Sequence, residues 1–566
     1  MINFLSHNGS MTEHEEDLIR YIKYQFNHMK TVRDKFVDRW KEAPNYCSKS
    51  VYDWNNLEAI PTAPVRYSSD PCNYLNTLTS GIIGYSISPN IVWLKLTLQD
   101  ERQLKLYGVN KWLTEVEQIL FAEFNRSNLY QETTKLVNNS ATIGHGSMLI
   151  DWDYDRSKLR FTANRMNEVF FDTDEYGEVT TVYRHFLLTI KQAVDFFGYD
   201  NLADKTRDAY DEEDGRRWND NIEILYAVYK RTNYNEEIPD AKNMPYAAVY
   251  VQLNENHIIM ESGYNDFPYA VFEWDNIPGT PYSESPAMSA MQDIRFLNLA
   301  NKSTMDIAQT SSRPPMVASE DILDIDTSPA GITYVKNGDT LQPLATGENY
   351  PITLDILEKI KQTVIDWFNV DFFLMLQHQD RQMTATEVSE LQGEKAAVLS
   401  NLIVNFNNCL TRIIQRSFYL LYEEGKIPDP PSGIRDTGAS IKIEFLGALA
   451  QAQRRYHQTG GINTVLNYIA PMAQLFPESL DLIDQDETMK KLLIGNGMPM
   501  SAIRDDKDVE ALRKARAQQQ AQQQQQAMAM EMSKNMLGNA AQLNEPARPN
   551  SMMEELTNQM NGAMPK

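Results

Sequence analysis

The sequence predicts an α+β fold that is mainly helical. Three observations lead there: β-type segments crowd between residues 147 and 274, helical periodicity dominates before and after them, and 28 Tyr, 21 Phe and 8 Trp in 566 residues supply surface for a large core. The end departs from this pattern. Residues 518–526 are eight Gln and one Ala, and the Met-, Asn- and Gln-rich chain beyond has the composition of weak helix fading into disorder.

Leu18, Ile22, Phe26, Met29, Phe36 and Trp40 recur at helical spacing among charged residues, predicting an amphipathic helix from Glu13 to Trp40 that Pro44 closes. A second helical stretch runs from about Glu101 through Leu129 to Thr142. The period then switches at Ser147. Strands follow in RFTANRMNEVFFD and EVTTVYRHFLL, joined across Asp174, Glu175, Tyr176 and Gly177 as a hairpin whose glycine supplies positive φ. IEILYAVYKR, AAVYVQL, HIIMESGY and YAVFEW continue the β series.

Helix returns over 285–312, with Met288, Met291, Ile294 and Leu297 on one face, until Pro314-Pro315. Pro329, Gly331, Gly338, Pro343 and Gly347 break the next segment into short pieces such as GITYV. A helix over 353–373 leads through LMLQHQDRQ to a longer one from Thr384, whose Val388, Leu391, Val398, Leu402, Leu410, Ile413 and Leu420 keep one face and which Gly393 bends. After the Pro428–Pro431 turn come one strand, IKIEFL, and helices to about Arg516.

Composition limits function. Lys plus Arg number 53 against 77 Asp plus Glu, a net charge of -24, which favours solubility and disfavours the multi-contact phosphate grip of a DNA-clasping protein. Cys47, Cys72 and Cys409 are far apart in sequence with no CxxC, so they read as buried thiols in a reducing compartment. No basic-then-apolar leader opens the chain and no 18-residue apolar run exists, which places synthesis in the cytoplasm with no membrane partner.

Motifs of catalysis are lacking. There is no GxxxxGK[ST] phosphate loop, and Gly81-Ile82-Ile83-Gly84 and Gly144-His145-Gly146-Ser147 fit neither a dinucleotide fingerprint nor a nucleophile elbow; they read as helix-end and turn glycines, with His145 in a loop. Asp172, Asp174 and Gly177 stand at calcium-loop spacing, but the twelfth position is Tyr183, so a solvated hairpin tip is the better reading. The eight histidines form no HExxH. No catalytic residue, metal or cofactor is expected.

Three blocks carry a resemblance. They are VFFDTDEYGEVTTVYRHFLLTIKQAVDFFG (169–198); ESGYNDFPYAVFEWDNIPGTPYSESPAMSAMQDIRFLNL (261–299) with Arg313-Pro314-Pro315 after it; and RQMTATEVSELQGEKAAVLSNLIVNFNNCLTRIIQRSFYLLYEEGKIPDPP (381–431), followed by FLGALAQAQR (445–454). In this order and spacing they resemble the portal, or head-to-tail connector, proteins of short-tailed bacteriophages (podoviruses). The family's YGxSP-like element appears as Tyr282-Ser283-Glu284-Ser285-Pro286, without its glycine, which affects the local turn.

The resemblance implies a portal fold with wing, stem, clip and crown, assembled as a closed ring of about twelve copies at one capsid vertex. It divides the chain into an N-terminal wing (1–284), first stem helix (285–312), clip (313–352), second stem helix (353–373), tunnel loop (374–383), long wing helix and strand (384–447), crown helices (448–516) and a C-terminal tail (517–566) that is either barrel or disordered. Double-stranded DNA would be packaged and ejected through the bore. The terminase large subunit would dock first and tail adaptor and nozzle proteins later, with major capsid and scaffolding proteins around the ring.

Gln377, His378, Gln379 and Arg381 become the polar tunnel-loop candidates, Arg381 either touching phosphates transiently or pairing with a neighbouring acid. Glu320, Asp321, Asp324 and Asp326 form an acidic clip run that either complements a basic terminase or adaptor surface or is simply solvated. Other virion structural roles (tail adaptor, inner-core component) and an acidic hydrolase are the competing readings.

Overall fold

The computed structural model describes residues 13–447 apart from 50, 60–61, 63, 100–107, 213–214, 235–239, 313–315, 319–340, 344–349, 378–398 and 436–439; beyond 447 it describes 489, 509, 512–519, 522 and 528–530. The chain divides into two units, residues 1–457 and 458–566. In the second, the described residues are helical, and Leu512, Met528 and Met530 are exposed.

The first unit opens with α1 (Glu13–Cys47), which contains Pro44 and is not closed by it. Proline removes the N–H that would reach Trp40, yet its carbonyl still accepts from Ser48 N (3.0 Å), and Ala43 and Cys47 stay buried, so packing carries the helix one turn further. An unexpected α2 (Asp70–Ser86) follows, with Pro71 in its first turn, and then β1 (Leu94–Leu98).

The stretch expected as one helix is two, α3 (Val109–Arg126) and α4 (Leu129–Ile143). Asn128 breaks it by pairing like a strand residue with Phe161: its Nδ2 donates to Phe161 O (2.8 Å) and its Oδ1 accepts from Phe161 N (3.0 Å). Gly144, at φ +95°, caps α4 in the left-handed region, and β2 (His145–Asp153) starts at once. His145 is therefore a strand residue and buried, correcting the loop reading.

Strands β2, β3 (Lys158–Ala163) and β9 (Tyr269–Glu273) form one antiparallel sheet in the order β3-β2-β9. β4 (Val169–Thr173), β5 (Val179–Thr189), β6 (Asn221–Lys230), β7 (Tyr246–Gln252) and β8 (His257–Tyr264) form a five-stranded antiparallel meander in sequence order. The expected hairpin joins β4 and β5: Gly177 lies at φ +86°, and Asp174 Oδ1 accepts from Tyr176 N and Glu178 N.

Helices α5 (Ile190–Phe197) and α6 (Asp204–Asp211) sit between β5 and β6. Alternation explains why the meander is covered twice: Tyr183, Leu225, Ala227 and Val249 meet Ile19, Ile22, Phe26 and Met29 of α1, while Val182, Ile224, Tyr226 and Val228 face the main core. Two short strands, β10 (Asp275–Asn276) and β11 (Ser283–Glu284), pair before the helices return.

Those helices are α7 (Pro286–Ser289), α8 (Met291–Ser312), α9 (Tyr350–Trp367), α10 (Val370–Gln377), α11 (Ser400–Glu423) and α12 (Ser432–Arg435). Between α8 and α9, β12 (Met316–Ala318) pairs antiparallel with β13 (Leu341–Pro343). β14 (Ile441–Phe445) returns to pair with β1, Leu94 opposite Phe445. Of the expected features, GITYV, Gly393 and Pro314-Pro315 lie outside the described residues.

Candidate functional site

Residues 285–377 form a helix pair with a ribbon at one end and a core anchor at the other. Ser285 opens it: its hydroxyl accepts from Met288 N (3.0 Å) and donates to the Thr142 carbonyl (2.8 Å), fixing the first helical turn to α4. Met291, Ile294, Leu297 and Ala300 then bury one face of α8. The Arg295 guanidinium forks onto the Glu42 carboxylate of α1, and Asn298 Oδ1 accepts from Tyr67 N (2.8 Å), so the base of α8 is tied to two preceding segments.

At the same level, Trp367 Nε1 at the end of α9 donates to Asp293 Oδ2 near the start of α8 (2.9 Å). Since β12 and β13 pair at the opposite ends, the two helices run antiparallel. The register sets Ala318 opposite Leu341, so the described chain ends and resumes side by side there. Glu320, Asp321, Asp324 and Asp326 lie outside the described residues.

The helix expected to continue to residue 373 breaks at Asn369, whose φ of +51° only a few residue types tolerate. α10 then runs to Gln377 and carries Val370, Phe372 and Phe373 into the core. Phe373 lies against Gly81 of α2, and its ring stacks on Tyr85 at 6.3 Å between centroids. Leu399, Leu402, Ile403 and Phe406, at the start of α11 and just before it, are buried as well. The described chain is thus anchored in the core both before residue 378 and after residue 398. Gln377 is the last residue of α10; His378, Gln379 and Arg381 lie outside the described residues.

The sequence reading missed the seat of α10. Gly81 lies inside a helix and only Gly84 near its end, and Cys72, Leu75, Leu78 and Ile82 at helical spacing are the signal that places Gly81 there. His145 is no site either. Trp40, Tyr282 and Phe171 surround it at 4.9, 5.1 and 5.3 Å between ring centroids, and burial, helped by the Arg33 charge, pushes its pKa down to about 3, so it is neutral at physiological pH. The three cysteines are buried and unbonded; burial pushes the Cys47 and Cys409 thiols up to about 12, which keeps them unreactive. Among the described residues no helix is long and apolar enough to cross a membrane.

A second apolar stripe marks α8. Two residues beyond Ile294 and Leu297, about 200° round the helix, come Phe296 and Leu299, 51% and 58% exposed. The helix is apolar on the face turned to its own core and again on the face turned away.

Comparison with known proteins accords with this arrangement. The family model described as "Bacteriophage head to tail connecting protein" matches residues 20–503. The portal protein of Salmonella phage epsilon15 is 28% identical over 528 residues, covering 90% of this chain and 92% of its own. The probable portal protein of Bordetella phage BPP-1 is 27% identical over 512 residues, covering 87% and 90%.

Proposed function

The chain belongs to the bacteriophage head to tail connecting protein family, and from that membership we propose that it is the portal of a phage virion: a structural subunit, without catalysis, of the ring through which double-stranded DNA is packaged and ejected. The observation that carries this reading is the match itself, which spans most of the chain and includes the helix pair and its ribbon. The outward stripe of α8 supports assembly. Exposed Phe296 and Leu299 are costly on a monomer and useful on a helix that packs against its copy in a closed ring, here taken as twelve subunits.

In that ring residues 285–312 and 353–373 are the stem helices, residues 313–352 the clip and residues 374–383 the tunnel loop, with 1–284 and 384–447 as wing, 448–516 as crown and 517–566 as tail. The excess of 77 acids over 53 bases suits a bore that guides DNA without gripping it. Arg381, once per subunit, supplies brief phosphate contact. Glu320, Asp321, Asp324 and Asp326 meet a basic surface on the terminase large subunit and then on the tail adaptor and nozzle proteins. Major capsid and scaffolding proteins surround the ring, which is made in the host cytoplasm.

Negative-stain electron microscopy of the purified protein tests the reading: rings with a bore that admits a duplex are expected, and a folded monomer at micromolar concentration would overturn it. F296E/L299E should abolish rings while leaving a folded subunit. Reversing the four clip charges should weaken terminase binding; unchanged binding sinks that part.

A further inference from the structure

The end of α1, the first half of α2, the helix α4 and the connection from β3 to β4 enclose a cavity of about 550 Å³. Its wall is unlike the rest of the chain. Nineteen described residues line it; three are basic, five are asparagine and none is acidic. With 77 acids in 566 residues, a wall of that size would hold about two or three by chance. The cavity is therefore electropositive in a chain that is not.

The bases Lys49, Lys135 and Arg165 are exposed and form the rim. Lys135 holds Glu132 at 2.7 Å, and Arg165 stands 3.8 Å from Glu168, a carboxylate that Arg184 Nε already engages at 2.9 Å. Among the described residues Lys49 makes no ion pair. Deeper in, two asparagines are left incomplete. Asn167 is 7% exposed; its Nδ2 donates to Asp53 O (3.0 Å), which fixes the carboxamide, and its Oδ1 has no partner among the described residues. Asn164 is 2% exposed, its Nδ2 donates to Ser147 Oγ (3.2 Å), and its Oδ1 is likewise unpartnered. Buried carbonyl oxygens without a donor are disfavoured, so two of them in one cavity wall call for something that donates.

Behind the wall lies a charge without a counter-charge. Arg33 is buried, donates from Nη1 to Asn167 O (2.9 Å), and stands 5.9 Å from the ring centroid of Trp54, a second wall residue. Its Nε donates to nothing among the described residues, and no carboxylate there lies within ion-pair distance; Asp34, next in sequence, points its charge to solvent. Buried charges are normally paired, because burial removes the water that would screen them. Water in the cavity would satisfy the two amide oxygens and leave the positive field unanswered.

We infer that the cavity binds a small phosphate ester that carries free hydroxyl groups, of the size of a sugar phosphate or a mononucleotide. The phosphate answers the rim bases and the field of Arg33, and the hydroxyls donate to Asn164 Oδ1 and Asn167 Oδ1. A neutral polyol meets only the amides, inorganic phosphate only the charge. The volume lies within the range of small-ligand sites. The inference is independent of the portal reading.

The test uses the full-length protein and isothermal titration calorimetry at physiological salt, with ribose 5-phosphate, adenosine monophosphate, ribose, inorganic phosphate and the single strand dT12 as probes. Ribose 5-phosphate should bind at least tenfold tighter than ribose or inorganic phosphate. Adenosine monophosphate binding tighter still assigns the site to mononucleotides, and weaker binding assigns it to sugar phosphates. Equal binding of ribose 5-phosphate and inorganic phosphate would mean an adventitious ion only; no binding of any probe, or dT12 binding tightest, would also overturn the inference. K49Q/R165Q should weaken ribose 5-phosphate about tenfold, and K35Q/K111Q, which removes the same charge from exposed sites elsewhere, should leave it within twofold. Hydrogen exchange on the unmodified protein gives a second readout: ribose 5-phosphate should protect 44–54, 134–143 and 163–167, and protection confined to other segments would overturn the site.

Discussion

The ring of Phe373 occupies the space a side chain at position 81 would need: a Cβ placed on Gly81 lies 2.2 Å from its Cδ1 and 2.4 Å from its Cγ. Both residues are buried, and the ring is not the far end of a flexible chain, so neither gives way cheaply. Helix α10 is seated on α2 by this notch, and the segment beginning at residue 378 starts from that seat. Gly81→Ala should therefore destabilise by about 1–3 kcal/mol through overpacking, and Phe373→Ala by about 3–5 kcal/mol through the cavity left behind. Guanidinium unfolding measures both. In G81A/F373L the losses should be less than additive, because the smaller side chain makes room for the new methyl; strict additivity would separate the two residues.

Glu273, the last residue of β9, is only partly exposed to water, and burial pushes its carboxyl up to about 7. Its folded pKa lies above its unfolded one. The folded state therefore holds a proton that the unfolded chain releases, and the stability it contributes is full below about pH 4.5 and lost as pH rises through 7. Glu273→Gln should stabilise above pH 7, by roughly 1–3 kcal/mol, and do little at pH 4. Thermal melts at the two pH values check this; an equal effect at both would rule out a titrating carboxylate.

His145 runs the other way. Its folded pKa of about 3 lies below the ordinary histidine value, so between roughly pH 6.5 and 3 the unfolded chain takes up a proton that the ring between Trp40 and Tyr282 refuses. Stability falls as pH drops through that window. His145→Gln should flatten the fall in Tm between pH 6.5 and 4 without abolishing it, since His185 is also lowered by burial against the opposing pull of Glu223. An unchanged slope would mean that His145 is reached by solvent.

Local pattern made much of the fold legible. The Asp174–Gly177 hairpin and the strands from β6 to β9 follow from alternation and turn chemistry carried by adjacent residues. What escaped depends on distant partners. β1 is five residues whose strand character comes from pairing with β14 some 340 positions away, and the break at Asn128 is made by Phe161 across the sheet. Helix α2 has a weaker apolar pattern because Gly81 replaces a side chain where Phe373 arrives. The outward stripe of α8 was present in the residues, yet telling an outward apolar face from an inward one requires knowing which face meets the core.

Arg416 is 3% exposed on α11, bound to Asp266, and its guanidinium lies 5.2 Å from the Tyr264 ring centroid and 5.8 Å from that of Tyr419. Its partner is 37% exposed. That difference makes the pair unequal to mutation. Asp266→Ala leaves a buried cation without its direct ion-pair partner, facing the two rings and, farther off, the buried Asp151 carboxylate, and should cost about 3 kcal/mol. Arg416→Met leaves a carboxylate that water already reaches and fills the void with a chain of similar length, so it should cost about 1 kcal/mol. Denaturant titration of the two variants gives the comparison: Arg416→Met proving the costlier would show that the guanidinium holds the end of α11 by its stacking on the tyrosines and not by its charge.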